Sequence, residues 1–236
     1  NLQCGGWLKI YGDTFRAEQD LTYLGALFLK VRLLQDEGHH LVFRELQVET
    51  QKARLRNMAF IETKPDDKNP TAGTSLSITC EEDLDLKAVQ LFGDGPVTVE
   101  STKGDTLVGD KGDIIPSQLY GVSKYGSNGS WLASNKTISV GGKNVRLTWA
   151  DIRTYGHLIL TAQQLVELVG SRAFAQLGIT LQGQRLSHRF DHIVVNTGML
   201  SGSADDSRGH IKAPLSDPSS LQTFGNIHLE IPQSTI

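Results

Sequence analysis

An apolar-x-apolar pair returns about every twenty residues along this chain, and that recurrence limits what the chain can fold into. The pairs are Leu8 and Ile10, Leu27 and Leu29, Leu46 and Val48, Leu76 and Ile78, Val97 and Val99, Ile138 and Val140, Leu158 and Leu160, then Ile179 and Leu181. Successive steps are 19, 19, 30, 21, 41, 20 and 21 residues. Residues two apart share one face of a strand, whereas a helix repeats its face at three and four. The clearest unit is Gly156 to Phe174, GHLILTAQQLVELVGSRAF. Leu158, Leu160 and Ala162 alternate in a first run, Leu165, Val166 and Leu168 form a second, and Ala173 and Phe174 form a third beyond a Gly170-Ser171 corner. The pattern predicts an all-β stack of coils, each about 19–22 residues long with three short strands.

Two steps depart from the period. The 30-residue step holds Thr63 to Gly73, TKPDDKNPTAG, whose prolines and charges mark a loop inserted at one corner. The 41-residue step is about twice the period, and a weak coil near Leu119 would divide it. A single coil buries too few apolar side chains to offset the entropy of ordering its backbone, so coils must stack. The expected organisation is a coiled body over residues 1–200, with the loop at 63–73, followed by 201–236. That last part reads as a polar excursion, Ser201 to Ser220, and a terminal strand through Ile227, Leu229 and Ile231. Residues 22–57 are rich in Leu, Glu, Arg and Gln and carry helix propensity, but Leu27-Leu29-Val31-Leu33 and Leu41-Phe43 keep strand alternation.

A net charge of −3 without a Lys/Arg run argues against a nucleic-acid or anionic-membrane partner. The longest apolar stretch, Leu24 to Leu29, ends at Lys30, far short of the roughly 18 residues a spanning helix needs. The chain starts at Asn1 with no signal-peptide pattern and reads as a fragment of a longer protein. Cys4 and Cys80 are too few for a disulfide scaffold and lack metal-ligand spacing; Cys80, in phase with Leu76 and Ile78, reads as a buried hydrophobe.

Two stretches, Thr71 to Gly109 and Gly141 to Ser171, resemble the haemagglutinin repeats of filamentous-haemagglutinin-type exoproteins, the two-partner-secretion adhesins and contact-dependent inhibition toxins of Gram-negative bacteria. Both have a Gly-rich lead, an apolar-x-apolar strand, a strand such as Asp83-Leu84-Asp85-Leu86, and an Ala, Ala88 or Ala150, opening a third strand. An NPNG or NPNL motif, the mark of that family's secretion domain, is missing. The resemblance implies a right-handed parallel β-helix, export through an outer-membrane transporter, and a secreted or cell-surface location.

Candidate chemistry is sparse. His188, Asp191 and His192 in LSHRFDH offer a carboxylate and imidazoles to acid–base catalysis, as a polysaccharide lyase or hydrolase would need, yet they fall where a solvated corner is expected. Asp66, Asp67, Lys68 and Asn69 in the inserted loop, and Tyr120, Tyr125 and Trp131 in the poorly specified coil, are the candidate contact residues. Exposed aromatics there would stack on sugar rings or cap an edge. His39 and His40 beside Gly38 read as surface residues, and the acidic cluster Glu81, Glu82, Asp83 and Asp85 reads as a solvated face and not a calcium site. Asn128 and Asn135 open glycosylation sequons. No cofactor or metal is expected. The leading expectation is a non-enzymatic structural or adhesive segment of an exported bacterial protein, contacting a cell-surface protein or glycan receptor. The alternatives are a carbohydrate-active enzyme and a β-sandwich binding module.

Overall fold

A computed structural model describes residues 6–56, 59–62, 75–109, 130–148, 150–169, 171–188, 190–195, 219–230 and 233–234. The described residues are strands and turns without a helix. The strands are β1 (Trp7–Phe15), β2 (Leu21–Glu37), β3 (His40–Arg56), β4 (Ala59–Glu62), β5 (Leu76–Cys80), β6 (Leu84–Lys87), β7 (Gln90–Gly93), β8 (Val97–Ser101), β9 (Thr106–Gly109) and β10 (Trp131–Ser134). They continue as β11 (Ile138–Thr148), β12 (Asp151–Thr154), β13 (His157–Val169), β14 (Arg172–Ala175), β15 (Gly178–Gln182), β16 (Arg185–His188), β17 (Phe190–Val195), β18 (Ser219–Thr223), β19 (Asn226–Glu230) and β20 (Gln233–Ser234).

The apolar pairs of the sequence are in-register rows of parallel strands. Leu8, Leu27, Leu46, Leu76, Val97, Ile138, Leu158, Ile179 and Ile227 stand opposite one another in turn. A second row runs Ile10, Leu29, Val48, Ile78, Val99, Val140, Leu160, Leu181 and Leu229 on the same strands. From Leu27 to Ile179 every member of the first row is buried, because alternate side chains of each strand point to one interior. The described part of residues 22–57 is strand apart from the turn at Gly38 and His39, and β2 and β3 pair along almost their whole length.

The architecture differs from the expected right-handed β-helix. The core is a closed six-strand parallel barrel with a parallel sheet beside it. The closure follows from the pairings: β3 joins β5 and β6, β5 joins β8, β6 joins β9, and both β8 and β9 join β11. The expected three short strands per turn are absent in several places. β2 and β3 each run 17 residues, β11 runs 11 and β13 runs 13. No Gly or Pro interrupts Leu46 to Arg56, so two runs that looked separate are one continuous strand feeding two neighbours. The parallel sheet runs β4, β7, β10, β12, β14, β18, β17.

Two further expectations change. No strand intervenes at the weak coil near Leu119 in the apolar ladder, since Val97 pairs directly with Ile138; Leu119 itself lies outside the described residues. A stack of coils in chain order would also put the strand after β16 on the preceding level, whereas β18 pairs with β14 and β17 pairs with β18, so Leu221 occupies the place next to Ala173.

Corners are closed by hydroxyls. Ser130 Oγ accepts from Val89 N at 3.1 Å and donates to Leu86 O at 3.1 Å. Ser171 Oγ accepts from Ala150 N at 3.1 Å and donates to Val169 O at 3.2 Å. These side chains supply partners for backbone groups that leave the ladder at a bend, which would otherwise be buried unpaired.

Candidate functional site: a polar groove across the strands

The outward faces of β8, β11, β13, β15 and β19 form an open groove of about 880 Å³. It runs across the strands, because its central row is the register Glu100, Gly141, Thr161, Gln182, Glu230. Thr98, Ser139 and Ile159 make one wall, and Thr102, Gln163 and Gln184 line the turn side. The floor is low at Gly141, which carries no side chain in the outward row, while Gly142 and Gly183 line it with backbone. A Cβ at Gly141 would lie 3.2 Å from Glu100 Cγ, and one at Gly142 would lie 2.9 Å from Thr106 Oγ1. The buried Thr106 hydroxyl donates to Gly141 O at 2.6 Å and fixes the strand where its register shifts between Gly142 and Asn144.

The groove's charge is confined to its ends. Among the described residues Glu100 and Glu230 are its two charged lining residues, and neither Lys nor Arg lines it. They are separated by four strand steps, or about 19 Å at the usual spacing of about 4.8 Å. That exceeds the Debye length of about 8 Å at physiological salt, so each acts alone. At the β19 end His228 Nε2 lies 2.8 Å from Glu230 Oε1. The lining therefore offers hydroxyls, amides and carboxylate acceptors in a repeating row on rigid strands.

The residues singled out in the sequence lie elsewhere. His188 ends β16, and Asp191 and His192 belong to β17, where His192 pairs with Ser220. They are strand residues, not a corner cluster; the placement of their side chains lies outside what is described. Asp66, Asp67, Lys68, Asn69, Tyr120 and Tyr125 also lie outside the described residues. Trp131 opens β10 and is half-buried, so it is no exposed loop platform. Its ring meets Phe92 edge-on at 4.7 Å, and the Arg153 guanidinium lies 5.8 Å from its centroid. Arg153 in turn grips Asp151 through two contacts of 3.0 and 2.9 Å.

Other titratable groups are committed to structure. Glu81 pairs with Lys103, Glu82 accepts from Gln51 at 2.9 Å, Asp83 accepts from Asp105 N at 3.0 Å, and Asp85 binds Arg56. Among the described residues no group of three His, Cys, Asp or Glu is arranged to hold a metal. Cys80 is buried and free, its Sγ directed at Gln51 O at 3.2 Å, and burial pushes its thiol up to about 11. Cys4 lies outside the described residues. His39 is half-buried: its Nδ1 lies 2.8 Å from Oδ1 of Asp36, which is fully enclosed and leaves Oδ2 without a partner among the described residues. Neither the groove nor this pair was found from the sequence. The one available signal for the groove was the Gly141-Gly142 pair inside a strand pattern, which marks a bulge or a cleared surface.

Among the described residues no helix is long and apolar enough to cross a membrane. Comparison with known proteins found no family, no curated protein and no solved structure that matches the chain.

Proposed function

We propose that this chain is a structural and adhesive segment of a large exported bacterial surface protein, presenting a contact surface to a cell-surface receptor. The observation that carries the reading is the groove itself. Its walls are strand-borne side chains held in register, so its shape is fixed before any partner arrives and binding costs little ordering. Its chemistry suits binding better than bond cleavage. A pair of carboxylates hydrolyses a glycosidic bond from about 5 to 9.5 Å apart, whereas Glu100 and Glu230 stand about 19 Å apart. The similarity of Thr71 to Gly109 and Gly141 to Ser171 to haemagglutinin repeats supports an exported, surface-borne parent with an outer-membrane transporter as its route.

The test is adherence. Beads coated with the purified chain should bind cultured cells, and Thr161→Trp, which fills the groove from an exposed strand position, should abolish most of that binding while leaving the circular dichroism unchanged. Adherence equal to wild type in the Trp variant would remove the groove from the contact. Release of sugars from cell-wall or mucosal glycans by the purified chain would favour the carbohydrate-active alternative instead.

A further inference from the structure

We infer that the groove takes a neutral, extended oligosaccharide lying across the strands, with one sugar residue facing each strand. The inference rests on the contact role proposed above and names the ligand class of that site. Four features carry it. The lining is rich in hydroxyls and amides, Thr98, Ser139, Thr161 and Gln182 among them, which hydrogen-bond to sugar hydroxyls as donors and acceptors. Among the described residues no basic side chain lines the groove, so an acidic glycan or a phosphate chain meets no counter-charge there and faces a carboxylate at either end. The missing side chain at Gly141, which stands in the outward row between Glu100 and Thr161, clears room for a ring beside the polar side chains. Finally, the polar row repeats at the strand spacing of about 4.8 Å, close to the advance of one pyranose unit in an extended chain.

A peptide fits less well. Extended peptides gain affinity by adding a strand to a free sheet edge, where main-chain groups pair. The groove lies on a face whose lining strands β11, β13 and β15 already pair on both sides. A peptide's own side chains on one face repeat at roughly 6.6 Å, out of step with the row.

The experiment titrates the purified chain by NMR and calorimetry with four probes: neutral hexasaccharides of β-1,4-linked glucose and of xylose, an oligogalacturonate, and hexalysine. The neutral probes should bind saturably at up to millimolar concentration, with an affinity that does not change with ionic strength. Thr161→Val and Gln182→Leu alter exposed positions and should each weaken binding about fivefold, the loss of one neutral hydrogen bond, without changing the melting temperature. Failure of every neutral probe to saturate overturns the inference, as does tighter, salt-sensitive binding of hexalysine or of the oligogalacturonate. The two readings fail separately. Adherence that Thr161→Trp abolishes, with no neutral probe bound, leaves the contact role standing and removes the glycan.

Discussion

The hydroxyl of Ser130 accepts the amide hydrogen of Val89 at 3.1 Å, joining residues 41 apart in the chain at a buried corner. Ser130 is fully enclosed and also donates to Leu86 O. Ser130→Ala therefore leaves a buried N–H and a buried carbonyl short of partners. The expected cost is about 1–3 kcal/mol, read as a lower midpoint in urea with an unchanged slope. Ser171→Ala, which removes the equivalent partner of Ala150 N, should cost a similar amount.

Backbone handedness makes an opposed pair of predictions. Gly109 has φ of +122°, and a Cβ there would stand 1.7 Å from the Thr148 carbonyl oxygen. Gly109→Ala should destabilise by more than about 3 kcal/mol, since the clash is with backbone that the ladder holds in place. Ala88 is the reverse case, a non-glycine residue at φ of 54°. Ala88→Gly relieves about 1–2 kcal/mol of left-handed strain and gives up about 0.5–1 kcal/mol in the freer unfolded chain. The buried methyl group lost is worth about 0.8 kcal/mol more, so the melting temperature should stay close to that of wild type, in contrast to Gly109→Ala.

Burial of the Cys80 thiol predicts both its reactivity and a pH dependence. Its folded value of about 11 lies above the ordinary 9.0, so the folded state holds the proton more tightly than the unfolded state. The resulting stability is fully present below about pH 9 and is lost as pH rises toward about 11. In Cys80→Ala the decline attributable to this group between those values should vanish. At neutral pH the native thiol should resist a disulfide reagent that modifies it at once in denaturant.

Asp36 occupies an interior position beside Leu55 in the paired register, and its Oδ2 is buried without a partner among the described residues. Asp36→Leu extends the apolar row and removes that unmet acceptor. It should raise stability by about 1 kcal/mol or more, measured by chemical denaturation, even though the contact to His39 is lost.

The apolar rows could be read from the chain because every strand from β2 to β15 in that ladder buries the first and third residue of its pair, whatever the intervening loop length. Strand continuity could not. Glu49-Thr50-Gln51-Lys52 looks like a polar corner, but in the structure it is the middle of β3, where Thr50 is buried with its hydroxyl on Lys52 O at 2.9 Å. Hydropathy marks a polar stretch as a corner and does not register that Thr50 finds its partner within its own strand. Barrel closure depends on that continuity, since β3 feeds both β5 and β6. Trp131 was noticed for its chemistry, while its edge-on contact with Phe92 across two strands separated by about forty residues leaves no local signal. The groove joins polar residues of five strands brought into one row by register, and periodicity along the chain does not register rows across it.

The insertion of β18 between β14 and β17 sets an order of events. A chain that emerges amino end first, from a ribosome or a transporter, can lay each strand from β2 to β16 onto one already in place. After the opening strand β1, which pairs with β2, β17 is the one described strand whose only described partner comes later in the chain, with 23 residues between Val195 and Ser219. Its described partner is thus missing until β18 arrives, and a chain stalled before Ser219 would carry every strand of the barrel while β17 lacked the neighbour it has in the finished fold.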